Sequence, residues 1–114
     1  MKSANSHAGA KNFRKIKNRV LGSDYELSVV FASDALTQRL NRTYRGIDKP
    51  TNVLAFPLSK TSGEIFINRV RAKPFSVKYL FIHGLLHLKG MAHGDTMERA
   101  EKKLLYGPSN RSWH

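Results

Sequence analysis

The segment Phe75 to Leu88, FSVKYLFIHGLLHL, constrains this chain more than any other, because it is apolar around nearly its whole circumference when wound as a helix. A helix apolar on all sides belongs in an interior, so the other elements must pack around it. Pro74 suits the first turn of such a helix, and Gly90 can end it in the left-handed conformation. The longest apolar stretch, Tyr79 to Leu88, is far shorter than the ~18 to 20 residues of a membrane span, so the interior is that of a protein. His83 and His87 interrupt the run, and burying imidazoles is costly unless something strong holds them.

Shorter elements surround it. Phe13, Ile16 and Val20 recur at i, i+3 and i+7, which predicts an amphipathic helix over residues 11–21 with basic residues around the rest. Tyr25, Leu27, Val29 and Phe31 alternate with Glu26 and Ser28, the period of a half-buried strand. Ser33 or Asp34 can cap a helix running through Leu36, Leu40 and Tyr44 to Gly46. Asn52 to Phe56 and Glu64 to Ile67 are strand-length runs separated by turn residues, a predicted hairpin. Asp95 followed by Glu98 reads as a capping box for a last helix, Met97 to Tyr106. Helices and strands mix without regular βαβ alternation, so the predicted class is α+β, a small mixed sheet packed with helices. Residues 1–10, rich in Ser, Ala, Asn and Gly, are expected to be a mobile N-terminal tail, with residues 11–114 forming one domain.

Charge narrows the partners. Twenty Lys and Arg against eight Asp and Glu give +12 over 114 residues, an imbalance that repels itself unless a polyanion is part of the working environment. Nucleic acid is the leading class. One cluster comprises Lys2, Lys11, Arg14, Lys15, Lys17 and Arg19; a second comprises Arg39, Arg42, Arg45 and Lys49, offset by Asp48. The basic N-terminal helix is a candidate for phosphate contacts. The absence of cysteine excludes disulfides, thiolate zinc sites and cysteine nucleophiles, so any metal must use His, Asp or Glu. No apolar run follows Lys2, so a cytoplasmic location with no membrane association is expected.

The chemistry concentrates in His83-Gly-Leu-Leu-His87-Leu-Lys-Gly90-Met-Ala-His93. Histidines four apart share one helix face, so His83 and His87 can reach one ion from adjacent turns. A break at Gly90 can return His93 to the same ion. Three neutral nitrogens leave a fourth tetrahedral position open for water, the arrangement of a catalytic zinc site. A single helical histidine is ordinary, and a polar seam in a buried helix is the bland alternative here. Three of the five histidines at this spacing favour one Zn2+ ion, although imidazole ligands also suit other divalent transition metals.

The spacing equals that of the zinc-peptidase pattern H-E-x-x-H-x-x-G-x-x-H. Position 84 decides against a peptidase, since glycine stands where those enzymes carry a glutamate base, and glycine accepts no proton. Phosphodiesters, which bring their own negative charge, fit both the open metal position and the basic chain. Residues 11–114 are therefore expected to form a metal-dependent hydrolase domain.

Two blocks resemble the YbeY family of bacterial metal-dependent endoribonucleases. The histidine block is similar to H-G-x-L-H-L-x-G-Y-D-H, and Leu40 to Pro57, LNRTYRGIDKPTNVLAFP, is similar to L-N-x-x-Y-R-x-x-D-x-P-T-D/N-V-L-S-F-P. Gly63-Glu64-Ile65 resembles the G-D-I strand that usually follows. The resemblance implies helices on a small sheet and zinc held by His83, His87 and His93. It also implies single-stranded RNA as substrate, in ribosomal RNA maturation on ribosomal particles, including 16S ribosomal RNA 3′-end processing. It gives Arg45 a functional role, and a guanidinium there makes sense as a grip on phosphate or a stabiliser of charge developing on it; a helix-end surface arginine is the alternative.

The pattern departs at Ala92, Met91, Ala55 and Glu64, where the family usually has Asp, Tyr, Ser and Asp. Loss of the acid before His93 removes a candidate hydrogen bond to a ligand, for which Asp95 is a substitute if it is not occupied as a cap. The short N-terminal part leads us to expect a reduced sheet edge. Thr51 and Asn52 read as turn residues, and Tyr44 and Phe56 as core. Trp113 and His114 read as a frayed terminus. The rival functions are a basic ribosome-associated RNA-binding factor with a structural metal, and a metallopeptidase.

Overall fold

The computed structural model describes residues 8–91 and 94–106. Its elements are α1 (Ala8–Leu21), β1 (Glu26–Phe31), α2 (Asp34–Arg45), β2 (Val53–Ser59), β3 (Ser62–Ile67), a 3-10 turn (Arg69–Arg71), α3 (Val77–Leu88) and α4 (Asp95–Tyr106). The α+β expectation holds: the described residues form four α-helices and a mixed three-stranded sheet in the order β1-β3-β2. β1 lies parallel to β3, and β2 antiparallel to it as the expected hairpin, with an irregularity between Pro57 and Ser59.

α3 is the predicted central helix. It buries Leu80, Phe81, Ile82, Gly84, Leu85 and Leu86, and it packs against β2, β3, α1 and α4. The alternation of β3 turns Ile65 and Ile67 into the same core, both fully buried. Helix and sheet meet at Gly84, where an added Cβ would stand 2.9 Å from two carbons of Ile65. The residue whose identity speaks against a peptidase base is therefore also a point of close helix-to-sheet approach. Ser76, rather than Pro74, starts the helix, its Oγ accepting the Tyr79 N–H at 3.0 Å while Pro74 lies in the preceding turn. At the other end Gly90 takes φ 103°, its N–H donating to the His87 carbonyl at 2.9 Å and the Met91 N–H to that of Leu86 at 3.0 Å. These paired bonds close the helix in the glycine-dependent manner expected at this position.

Outer elements differ from expectation in instructive ways. α1 begins at Ala8, earlier than residue 11, and stacks Phe13 on Phe81 with ring centroids 4.5 Å apart. Its Lys17 is buried, with Nζ donating to the Ser23 carbonyl at 3.2 Å, so that cation is spent inside the fold and not offered to phosphate. Phe31 does not join Leu27 and Val29 in the core; it stays partly exposed beneath the Arg69 guanidinium, 4.3 Å from its ring centroid. α4 starts at Asp95, and the Glu98 N–H donates to the Gly94 carbonyl at 3.0 Å, so Asp95 and Glu98 both sit in the first turn, where acids favour the helix dipole.

The largest departure is in α2. Ser33 and Gly46 cap it as predicted, yet its buried residues are Thr37 and Asn41, while Leu36 and Leu40 are half-covered and Tyr44 is 65% exposed. A polar network explains the reversal. Asn68, fully buried after β3, donates to Asp34 Oδ1 at 2.7 Å and to Thr37 Oγ1 at 3.3 Å. Thr37 Oγ1 also accepts the Thr51 N–H at 3.3 Å, and Asn41 Nδ2 donates to the Lys49 carbonyl at 2.9 Å. Buried polar groups need such partners, and these bonds fasten the loop before β2 to α2.

Candidate functional site

That fastened loop forms one wall of a cleft of about 610 Å³ lined by Tyr44, Arg45, Thr51, Asn52, residues 53–56 of β2, and His83, Gly84 and His87 of α3. Successive turns of α3 aim His83 and His87 into it, with Nε2 atoms 3.1 Å apart. The other ring nitrogen of His83, Nδ1, donates to Glu101 Oε2 at 2.6 Å, and Tyr79 Oη donates to Glu101 Oε1 at 3.1 Å. Glu101 is 4% exposed and is the one buried acid among the described residues. Burial pushes the Tyr79 phenol above its usual value, and its bond to Glu101 pushes the same way.

This arrangement selects a tautomer. A carboxylate accepts only, so Nδ1 of His83 keeps its hydrogen and Nε2 is left to face the cleft. The two Nε2 atoms then confront each other across a point that a proton or a metal ion can fill. Two nitrogens each ~2.05 Å from a tetrahedral zinc stand about 3.3 Å apart, and the observed 3.1 Å fits that edge. Two convergent imidazoles, one of them backed by a carboxylate, are donors that can take part in holding a transition metal.

The placement of the sequence candidates is uneven. His83 and His87 converge, and Arg45, at the C-terminal end of α2, lines the same cleft. His93 lies outside the described residues, as do Ala92, Trp113 and His114. α3 itself therefore carries two histidines of the expected three, and among the described residues no three His, Asp or Glu side chains gather as a metal-holding group. Thr51 and Asn52 are cleft-lining as well as turn residues. Tyr44 and Phe56 are not core: they pack on each other with centroids 5.0 Å apart and line the cleft.

Glu101 is the acid at His83, and the sequence carries a faint sign of it, whereas any bond from Asp95 to His93 lies outside the described residues. Met97, Glu101, Leu104 and Leu105 follow the i, i+4, i+7, i+8 spacing of the inward face of α4, so an acid stands where an apolar residue is due.

Fold and cleft together define an α+β protein with a histidine pair opposite a basic helix end. The sequence model of the YbeY family, described as Endoribonuclease YbeY, matches residues 2–106, and the chain belongs to that family. An Endoribonuclease YbeY of Methylocella silvestris is 38% identical, aligned over 75% of this chain and 60% of that protein. One from Rhodopseudomonas palustris is 36% identical over 73% of this chain and 65% of its own length. The chain thus spans about 60% to 65% of the length of these curated relatives. The solution structure of a target protein from Thermotoga maritima matches with a TM-score of 0.56 and 26% identity, covering 91% of this chain and 83% of that one. Among the described residues no helix is long and apolar enough to cross a membrane.

Proposed function

We propose that this chain is a metal-dependent, single-strand-specific endoribonuclease that acts in ribosomal RNA maturation, including 16S ribosomal RNA 3′-end processing, on ribosomal particles in the cytoplasm. The observation that carries this reading is the convergence of His83 and His87 in one cleft with Arg45, in a chain whose family bears the endoribonuclease description. The net charge of +12 supports a polyanionic substrate.

His83, His87 and His93 are the residues that would hold a zinc ion. When bound, zinc supplies Lewis acidity toward a water or a phosphoryl oxygen. The protein's own groups do the rest. Arg45 faces the scissile phosphate and offers a planar, charged donor pair to its oxygens as negative charge grows there. Tyr44, largely exposed at the cleft rim, gives an unpaired base a face on which to stack. Duplex bases are already stacked, so this contact favours single strands. Gly84, which lines the cleft, supplies no base.

Purified protein is expected to cut an unstructured ribosomal RNA fragment and to spare the same sequence in duplex form. Chelation is expected to stop cleavage and added zinc to restore it. A protein that holds metal and binds RNA strongly without cutting it would instead be the basic RNA-binding factor.

A further inference from the structure

Glu101 has no part in the motif that points to the histidines, yet it is the most fully committed side chain near them. Its carboxylate is carried on α4, away from the cleft, and each oxygen is held by a different residue of α3: Oε1 by Tyr79 and Oε2 by His83. These two contacts lie one helical turn apart on a stacked column, Phe75 on Tyr79 at 4.7 Å and Tyr79 on His83 at 5.9 Å. Among the described residues no lysine or arginine forms an ion pair with Glu101. A buried carboxylate so placed is expensive unless its partner carries positive charge, and of its two partners among the described residues, Tyr79 and His83, the one that can carry such charge is the His83 ring.

We infer that Glu101 is the positioning carboxylate of the metal site: it fixes His83 as the Nδ1–H tautomer, holds its Nε2 beside that of His87, and so sets the affinity of the site for a divalent transition metal. The inference rests on the metal reading above and adds a residue and a role to it. Carboxylate partners orient a ligating imidazole and raise its basicity, and their loss typically weakens metal binding by ~10 to 100-fold. Tyr79 acts one step further out, pinning the carboxylate that pins the histidine. The Asp that the family pattern places before His93 is missing at Ala92; the described carboxylate that remains at the histidines is Glu101, which raises its weight in this chain.

The test is a zinc titration against a chromophoric chelator, using the full chain and its Glu101→Gln, Tyr79→Phe and His87→Ala variants, with the visible spectrum of each cobalt(II)-loaded protein beside it. Glu101→Gln keeps a hydrogen-bond acceptor and removes the charge. Zinc affinity is expected to fall by about 10 to 100-fold in this variant, with shifted cobalt bands and a metal-free melting profile matching the parent's. An unchanged zinc affinity in a folded Glu101→Gln protein overturns the inference while leaving the metal site standing. If Glu101→Gln does not fold, Tyr79→Phe decides: several-fold weaker zinc binding supports the role, and parental affinity overturns it. If His87→Ala binds zinc as the parent does, the metal reading itself fails, and the inference with it.

Discussion

The two walls of the cleft are built on opposite principles. The α3 wall is a packed one: Leu80, Phe81, Ile82 and Leu85 have almost no exposed surface, and between them and solvent stand two histidines, one braced by a buried glutamate. The α2 wall is open, with Tyr44 and Arg45 exposed and the loop behind them tied down by a polar network around Thr37, Asn41 and Asn68. Close packing fixes atoms to within tenths of an ångström, which a metal site demands. Exposed groups on a fastened backbone, such as Arg45 and Tyr44 with its ring contact to Phe56, keep much of the side-chain freedom that a long, variable polyanion requires. Under the proposed function the comparison assigns chemistry to one wall and the grip on substrate to the other, and it predicts that each can be damaged without the other.

The largest expected effect short of losing the site is at Arg45. Arg45→Ala should lower kcat/KM for RNA cleavage by about 10² to 10³-fold, the usual cost of removing a donor to developing charge. Zinc content per chain should stay at the parental level, because the residue is exposed and on the gripping wall. Parallel loss of metal would show that the two walls are not independent.

Tyr44→Ala should act on KM, raising it by about 5 to 150-fold, since stacking one base is worth roughly 1–3 kcal/mol. With Tyr44 65% exposed, the melting temperature should move little, and Tyr44→Phe should restore parental kinetics. A large loss of stability with unchanged KM would return Tyr44 to the core role its helical spacing implies.

On the packed wall, Gly84→Ala gives the smaller but complementary effect. The new Cβ meets branched carbons of a fully buried Ile65 at 2.9 Å, so the variant should lose about 1–3 kcal/mol of stability in urea denaturation, even though alanine favours helix. An equally stable variant would mean that helix and sheet have slack here.

The packed wall was the legible one, for a physical reason. Burial writes itself into sequence as apolar periodicity, so α3, the alternating strands and the histidine spacing could all be read directly. The α2 wall is stabilised by hydrogen bonds between residues far apart in the chain, such as Asn68 to Asp34 and Thr51 to Thr37. Periodicity has no term for these, which is why Leu36, Leu40 and Tyr44 looked like the inward face although Thr37 and Asn41 occupy it. Arg45 was identified by family resemblance, not by pattern. Glu101 escaped because an acid on an amphipathic helix ordinarily faces water, and only the meeting of α3 and α4 shows that this one does not.

The central claim is that RNA cleavage occurs at the histidines of α3. The most direct test is cleavage of an unstructured ribosomal RNA fragment by the parent chain and by a His87→Ala variant purified identically, with zinc measured in both. The account predicts that the variant loses both zinc and cleavage while still binding the RNA through its positive charge. Equal cleavage by the two proteins would contradict it, placing the nuclease activity elsewhere than at the His83–His87 pair.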